Sequence, residues 1–331
     1  MIRLSLYDNC DRNRVPFKNI AIEEYLTRHV ADDEVILYLW QNAKTVVIGR
    51  NQNAWRECNV EKLAADGGYL ARRLSGGGAV YHNTGNLNFT FCAPEALYDV
   101  DRQVSVIAKA AGAFGISVKK TGRNDIMADG KKFSGNAFWK SGGQCYHHGT
   151  ILISENMANM VKYLDTDGSK LRAKSVPSVP ARVVNLADLN PAVTPEAFRK
   201  AMGKAFGEIY GGVPQVLADS DLDWKEIAGR EAFFASDEWR LGHQPAFTHQ
   251  WEQQFSWGCL RLYMTVEGGV IQEASIDSDG LAANLLAKIP GALKGLPYES
   301  GAIETALLQI GDDAEERTLL EEIQKAMKKD R

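Results

Sequence analysis

The spacing of hydrophobic residues predicts a chain in which strands and helices are mixed. Helical spacing occurs in residues 17–30, 102–114 and 195–210. Strand patterns occur in residues 35–40, 45–48, 86–92, 131–139 and 146–154. Thr194 and Pro195 provide a favourable start for the third helix, and a Ser-Gly-Gly turn joins the last two strands as a hairpin. We therefore expect a mixed, largely antiparallel sheet with packed helices.

The pattern starts afresh near residue 245. Three strands are predicted at residues 247–255, 260–266 and 270–276, followed by helices at 280–288, 300–310 and 314–329. Strands followed by helices, without a return to the earlier sheet, predict a small separate α+β domain. We expect two domains, residues 1–244 and residues 245–331.

Composition narrows the class of protein. The 331 residues are 45% hydrophobic and 24% charged, with a formal net charge of −4, which argues against a general nucleic-acid binder. No apolar run approaches the length of a membrane span, and the first residues lack the apolar core of a signal peptide, so we expect neither feature. Five widely spaced cysteines fit neither a disulfide framework nor a CxxC zinc site. We expect a cytoplasmic protein with reduced thiols.

Three consecutive glycines, Gly76 to Gly78, lie in residues 72–82, which read RRLSGGGAVYH. Without Cβ atoms, main-chain N–H groups can approach a charged oxygen closely, and arginine adds charge and forked donors. The segment indicates a carboxylate or phosphate clamp, whereas an isolated Gly-rich run is also typical of a plain turn.

A second polar group lies in the predicted hairpin. With a period of two, Lys132, Ser134 and Asn136 project to one face of their strand. A lysine among neutral donors suits an anionic transition state, because a unit charge about 4 Å away contributes about 4 kcal/mol at an effective dielectric near 20. An edge strand with solvated polar residues is the alternative.

The neighbouring strand carries two adjacent histidines. Alternation places His148 and Thr150 on one face and His147 on the other, so the two histidines are poorly arranged to bind one metal ion. The chain contains no P-loop, no Rossmann GxGxxG and no GxSxG motif. The residues alone therefore indicate acyl or phosphoryl chemistry.

Several motifs together resemble the lipoate-protein ligase A family over nearly the whole chain. They are FKNIAIEE at 17–24, TVVIGRNQN at 45–53, RRLSGGGAV at 72–80, GRND at 122–125, KFSG at 132–135, HHGT at 147–150 and FSWG at 255–258. The resemblance implies a biotin-ligase-like (class II aminoacyl-synthetase-like) mixed-sheet α/β catalytic domain with a small C-terminal α+β accessory domain.

The resemblance also implies a two-step reaction. Lipoate would be adenylated by ATP with Mg²⁺, and the lipoyl group would then pass to a lysine of an acceptor domain. The implied acceptors are the lipoyl domains of 2-oxoacid dehydrogenase E2 subunits and the glycine-cleavage H protein, with neither nucleic acid nor membrane as a partner.

By the same resemblance, Lys132 would be the catalytic lysine, contacting the α-phosphate and carbonyl oxygen of lipoyl-AMP. Further contacts to lipoate or lipoyl-AMP would come from Arg73, Ser75, Gly76, Gly77, Gly78, Val80, His82, Asn86, Asp125, Ser134, Gly135, His148 and Thr150. The segment 170–182 resembles an adenylate-binding loop with Lys174, Ser178 and Arg182 as its polar contacts. The sequence leaves the metal ligands, if the site has any, unknown.

Three positions depart from the family pattern. Asn83 replaces an aspartate that often follows the histidine, and Pro180 and Val184 stand where an arginine and a hydroxyl residue are frequent. These changes affect expected ligand contacts but leave Lys132 and the glycines in place.

Two other functions remain open at this stage. An octanoyl- or lipoyltransferase of the same fold would need a cysteine nucleophile, for which Cys145 is the nearest thiol, although an incidental surface thiol is the simpler interpretation. The second alternative is a non-catalytic lipoate-binding paralogue. A biotin ligase is a more distant alternative, because the fold is shared.

Overall fold

The computed structural model describes residues 2–121, 124–164, 183–242, 248–298 and 300–329. The chain forms two compact units. The first consists of Met1–Val47, Trp55–Arg72 and Ala79–Arg240, and the second consists of Ile48–Ala54, Arg73–Gly78 and Leu241–Arg331. Two short segments from the first third of the chain therefore cluster with the C-terminal residues.

The strands that precede residue 241 form two sheets. In chain order they are β1 Arg3–Asp8, β2 Glu34–Trp40, β3 Thr45–Ile48, β4 Tyr69–Arg72, β5 Val80–His82, β6 Asn86–Pro94, β7 Val118–Thr121, β8 Asp125–Ala128, β9 Lys131–Ser141, β10 Gln144–Leu152 and β11 Gln215–Val216. The large sheet has the order β11-β1-β2-β6-β10-β9-β8-β7, and the small one has the order β4-β3-β5. In the large sheet β1 runs parallel to β2 and β11, and the other pairs are antiparallel.

In the part of the chain that the structure describes, the helices up to this point are mostly short and connect the strands. They are α1 Pro16–Arg28, α2 Ala54–Glu57, α3 Val60–Ala65, α4 Val100–Gly112, α5 Met157–Leu164, α6 Leu186–Leu189, α7 Pro195–Tyr210, α8 Trp224–Ala235 and α9 Asp237–Leu241. Among the described residues, no helix combines the length and apolar character needed to cross a bilayer.

Local sequence explains the bounds of α7. The Thr194 hydroxyl accepts a hydrogen bond from the Ala197 N–H at 3.1 Å, and Pro195 occupies the first turn, where its missing N–H costs nothing. At the other end, Gly211 adopts a left-handed conformation with φ 77° and donates its N–H to the Gly207 carbonyl. The helix predicted for residues 195–210 is confirmed.

The core of the first unit lies on one face of the large sheet. Phe89 and Phe91 of β6 pack there with Val106 of α4 and with Phe198 and Phe206 of α7. The opposite face of β6 carries Asn88 and Thr90, because side chains alternate along a strand. One face of the sheet is thus an apolar core, and the other carries polar groups beneath α1.

The C-terminal part of the second unit is the predicted meander followed by helices. Its elements are β12 His249–Phe255, β13 Gly258–Glu267, β14 Val270–Ser278, α10 Ala283–Leu293, α11 Ser300–Leu308 and α12 Ala314–Lys329. Gly268 and Gly269 form the second turn with φ of 57° and 78°. Leu260 and Leu262 of β13 pack with Leu286 and Ile289 of α10. The predicted fold class, a mixed-sheet α/β domain followed by a small α+β domain, is confirmed.

The exact division of the chain at residues 244/245 stays a prediction, because residues 243–247 lie outside the described ranges.

Candidate functional site

Lys132 lies at the centre of a small charged cluster on β8 and β9. Its Nζ atom is 2.7 Å from Oδ1 of Asp125, and the two side chains are 36% and 37% exposed. The amine also lies directly over Gly135, where a Cβ atom would be 3.1 Å from Nζ. The Gly135 N–H in turn donates to the Thr150 hydroxyl at 3.3 Å. Four of the residues proposed from the sequence are therefore brought together: Lys132, Asp125, Gly135 and Thr150.

A β-bulge explains which way Lys132 points. Asp125 pairs with Gly135 and Ile126 pairs with Ser134, but Met127 pairs with Lys132, so Phe133 is an extra residue in β9. One extra residue reverses the alternation of side chains on either side of it.

The prediction that Lys132, Ser134 and Asn136 share a face is therefore wrong. The lysine amine lies on the face of Gly135. Ser134 is fully buried opposite Ile126, a residue of the hydrophobic core. Asn136 hydrogen bonds to His147 on that core side. The physical reason is the bulge, which a strict period of two does not contain.

His148 belongs to a buried polar network on the face beneath α1. Its Nδ1 is 2.8 Å from Oε1 of Glu23, and the same carboxylate accepts the Thr90 hydroxyl at 2.6 Å. The indole N–H of Trp40 donates to Thr90 at 3.1 Å. The predicted placement of His148 and Thr150 on one face, with His147 on the other, is confirmed by their partners.

Two asparagines on β6 extend this network. The Asn86 Nδ2 donates to Asn88 Oδ1 at 2.7 Å, and both side chains are buried. Within the described part of the chain, Oδ1 of Asn86 and Nδ2 of Asn88 have no hydrogen-bond partner. Asn88 pairs across the strands with Thr150, the neighbour of Gly135. A polar row therefore crosses the sheet from Asn88 to the lysine amine.

The sequence interpretation missed four members of this region. Glu23, Trp40, Asn88 and Thr90 lie on helix α1 and on strands that looked like ordinary core elements. The signal that was available is polarity: Asn88 and Thr90 interrupt an otherwise apolar strand at alternating positions.

His82 and Val80 lie on β5, one of the two outer strands of the small sheet. Val80 pairs with Val47 and is half-buried. His82 is buried, its Nδ1 is 3.2 Å from Nδ2 of Asn42, and its ring meets Trp40 edge-on with centroids 5.9 Å apart. His82 is therefore linked to the network of Thr90 through Trp40.

His147 is a core residue. Its ring packs against Phe89 and Phe91, Nδ1 is 3.0 Å from Oε1 of Gln103, and Nε2 is 2.8 Å from Oδ1 of Asn136. Burial lowers the pKa of His147 to about 3, so the ring is neutral at physiological pH. Within the described ranges, no three His, Cys, Asp or Glu side chains come together as a metal site.

In the second unit, the backbone of the Gly-rich segment packs tightly against the backbone at Gly49 and Gly280. A Cβ on Gly76 would overlap the Gly280 carbonyl oxygen, and a Cβ on Gly49 would overlap that of Gly77. Gly77 adopts φ 88°, and its N–H donates to the Gly280 carbonyl at 3.3 Å. A Cβ on Gly78 would meet nothing within 4 Å. Gly49 and Gly76 thus permit close backbone contacts, Gly77 permits a left-handed turn, and Gly78 is exposed.

The guanidinium of Arg73 holds this segment in shape. Its Nη2 donates to the carbonyls of Gly76 and Gly78, both at 2.7 Å, and its Nε donates to the Ser75 hydroxyl at 3.1 Å. The side chain is buried. Through these bonds Arg73 stabilises the conformation of the Gly-rich turn. The sequence interpretation did not include this role.

The guanidinium of Arg72, in the first unit, also donates hydrogen bonds to backbone carbonyls. Nε donates to the Trp239 carbonyl at 2.7 Å and Nη2 to the Arg240 carbonyl at 3.0 Å, at the end of helix α9. The Trp239 indole N–H returns a bond to the Arg72 carbonyl. A cation at the C-terminal carbonyls of a helix is favourable.

The expected adenylate-loop residues Lys174, Ser178 and Arg182, together with Pro180, lie outside the described residues, as do Gly122 and Arg123. Next to this segment, the N–H of Val184 donates to the Lys132 carbonyl at 2.9 Å. Val184 is a buried core residue, which accounts for an apolar side chain at this position. Asn83 lies in the turn before β6, where its carbonyl accepts the Asn86 N–H.

The thiol of Cys145 is buried in β10, so its description as a surface thiol is wrong. It pairs with Lys140 and Ala93 in the centre of the sheet. Burial raises the pKa of Cys145 to about 11, which leaves very little thiolate at neutral pH.

Comparison with known proteins identifies the family. Residues 15–207 match the lipoyl protein ligase A/B catalytic domain, and residues 244–327 match the bacterial lipoate protein ligase C-terminus. The chain belongs to the lipoate-protein ligase A family. Its two matched regions cover most of both units.

Solved structures share the fold. P. falciparum LipL1, solved in complex with lipoate, is 28% identical with a TM-score of 0.84, and the match covers 98% of each chain. A bi-partite lipoate protein ligase from T. acidophilum, described with its E2 lipoyl domain, is 22% identical with a TM-score of 0.63, covering 74% of this chain and 99% of that one. A lipoate-protein ligase A bound with ATP is 23% identical with a TM-score of 0.60, covering 73% and 98%.

Proposed function

We propose that this chain is an ATP-dependent lipoate-protein ligase that works in two steps. In the first, a lipoate carboxylate oxygen attacks the α-phosphorus of ATP, and pyrophosphate leaves as lipoyl-AMP forms. In the second, a lysine amine of an acceptor domain attacks the acyl carbon, AMP leaves, and the amine loses a proton. Family membership and the cluster around Lys132 support this proposal.

The observation that carries the proposal is the placement of the Lys132 amine. It is partly exposed, lies over Gly135 and is paired with the Asp125 carboxylate. Negative charge develops on phosphate oxygens in the first step and on the acyl oxygen in the second. A cation fixed near both oxygens stabilises both transition states and needs little reorganisation.

The polar row beside Lys132 is the proposed binding surface for the acyl-adenylate. We propose contacts from His82, Asn86, Gly135, His148 and Thr150, as the family resemblance implies. The unpartnered Oδ1 of Asn86 supports this role, since a buried polar atom without a partner is costly unless a ligand satisfies it. Asp125 is proposed to act on the lysine.

The Gly-rich segment is proposed to bind the anionic part of the ligand through backbone N–H groups. Arg73 would hold that backbone in shape through its bonds to the carbonyls of Gly76 and Gly78. Mg²⁺ would enter on the phosphates of ATP as part of the nucleotide substrate.

Lipoyl domains are the proposed acceptors. The T. acidophilum neighbour is described with its E2 lipoyl domain, which supports an acceptor of that class. The glycine-cleavage H protein is proposed as a second acceptor on the basis of the family resemblance.

The transferase alternative is disfavoured by Cys145. A thioester mechanism needs a reactive thiolate, and this thiol is buried with a raised pKa.

The test uses the purified full chain with lipoate and MgATP. Pyrophosphate release without acceptor measures the first step, and the mass increase of an added lipoyl domain measures the second. Acceptor modification without ATP, from an octanoyl thioester donor, would support the transferase. Lipoate binding with no pyrophosphate release would indicate a non-catalytic paralogue.

A further inference from the structure

On the core side of the sheet, two asparagines are joined by three hydrogen bonds. The Asn136 N–H and Nδ2 donate to the Asn124 carbonyl at 2.9 and 3.0 Å, and the Asn124 Nδ2 donates to the Asn136 carbonyl at 3.1 Å. Both residues are held at the backbone as well as at the side chain. The pair therefore fixes the start of β8 against β9.

The Asn136 amide is itself anchored in the core. Its Oδ1 lies 2.8 Å from Nε2 of His147, whose ring is enclosed by Phe89, Phe91 and Phe138. A fully buried ring with aromatic neighbours has few alternative positions. The orientation of the Asn136 amide is thus set by rigid surroundings.

The residues next to this pair in sequence are those that contact the lysine amine. Asp125 follows Asn124, and Gly135 precedes Asn136. Asp125 and Gly135 are also direct partners across β8 and β9. A shift of the asparagine pair would move the carboxylate that binds Nζ.

We infer that Asn136, anchored by His147, is a positioning residue that acts through Asp125 on Lys132. This inference rests on the proposed function. A lysine side chain has four rotatable bonds, so its amine needs an external restraint to stay near one point. A displacement of about 1 Å can cost about 100-fold in rate when a reacting group must be aligned.

A double-mutant cycle tests the inference. Asn136→Ala is expected to lower kcat for lipoyl-AMP formation about 10- to 100-fold, with a change in KM for lipoate of less than about threefold. Asp125→Ala should lower kcat at least as much. In the Asp125→Ala background, Asn136→Ala should then have no further effect on kcat, because the carboxylate through which it acts is gone.

Asn190→Ala is the matched control. Asn190 also donates from Nδ2 to a backbone carbonyl, that of Phe114, at 2.9 Å, and within the described ranges no hydrogen bond joins it to Lys132, Asp125 or Gly135. We expect Asn190→Ala to lower the melting temperature without changing kcat. If Asn136→Ala does not fold, Asn136→Ser takes its place in the cycle.

A second measurement does not depend on activity. Acetylation of the full chain by a limiting amine reagent, followed by mass spectrometry, reports how accessible Lys132 is, with Lys131 as the internal reference. Both Asn136→Ala and Asp125→Ala are expected to raise the Lys132 to Lys131 labelling ratio. Pyrophosphate release by the wild type tests the proposed function separately.

The inference is overturned if Asn136→Ala keeps wild-type kcat and labelling while only its melting temperature falls. It is equally overturned if the two substitutions reduce kcat multiplicatively. Non-additive loss of kcat together with raised labelling supports it.

Discussion

The Nζ amine of Lys132 lies 2.7 Å from Oδ1 of Asp125, and this ion pair is only partly exposed. Replacement of Lys132 by methionine removes the charge while keeping most of the side-chain volume. We expect pyrophosphate release to fall about 1,000-fold, because a unit charge near the reacting oxygens contributes about 4 kcal/mol. Lys131→Met is the control, since Lys131 is an exposed neighbour. Turnover of Lys132→Met close to the wild-type rate would contradict the proposed role.

Substitution of Cys145 separates ligase from transferase chemistry. We expect Cys145→Ala to keep ATP-dependent lipoylation within about threefold, because the thiol is protonated at neutral pH and cannot act as a nucleophile. The substitution removes a buried sulfur atom, so we expect it to lower the free energy of unfolding by about 1 kcal/mol. Acceptor modification and thermal unfolding are the measurements. Complete loss of acyl transfer in a folded variant would restore the thiol mechanism.

Two glycines of one turn are expected to respond differently to the same change. Gly76→Ala places a methyl group against the Gly280 carbonyl, so we expect a loss of about 1–3 kcal/mol in stability and a raised KM for lipoate. Gly78→Ala meets no atom within 4 Å and should have a much smaller effect on stability. Thermal unfolding and lipoate titration measure both. Equal destabilisation by the two variants would show that the close contact at Gly76 is unimportant.

The buried ring of His147 predicts a pH dependence of stability. Unfolded histidine titrates near 6.5, whereas the folded pKa of His147 is about 3, so between these pH values the unfolded chain binds a proton that the folded chain does not. Stability should therefore fall as the pH is lowered from 6.5 towards 3, with no further loss from this group below that.

Chemical denaturation of wild type and His147→Gln across this pH range measures the effect. The variant should be less stable at pH 7, and its stability should decline less steeply on acidification. Parallel curves would show that another group causes the acid sensitivity.

Local sequence was sufficient for most helices and strands. Helix α7 was predicted from its hydrophobic spacing and from Thr194 and Pro195, which mark its start. The hairpin of β9 and β10 was predicted from two alternating segments joined by two glycines. The order of strands in the large sheet could not be predicted in this way, since β2, β6 and β10 are joined through pairings distant along the chain.

The site was only partly predictable for the same reason. The motifs pointed to Lys132, Asp125, Gly135 and Thr150, which the fold brings together. The direction of the lysine depends on the bulge at Phe133, which arises from how β9 pairs with β8 and has no signal in β9 alone. Glu23 joins the polar network of His148 and Thr90 because helix α1 packs over His148, and this packing has no signal in the local sequence.

The close contact between Gly76 and Gly280 has a practical consequence for protein production. A shortened clone that stops near residue 240 would keep the whole Gly-rich motif in its sequence, yet it would delete the backbone against which that motif rests. The Gly77 N–H would then lose the Gly280 carbonyl as its acceptor, so a fragment chosen by its motifs alone would be expressed with an unsupported turn.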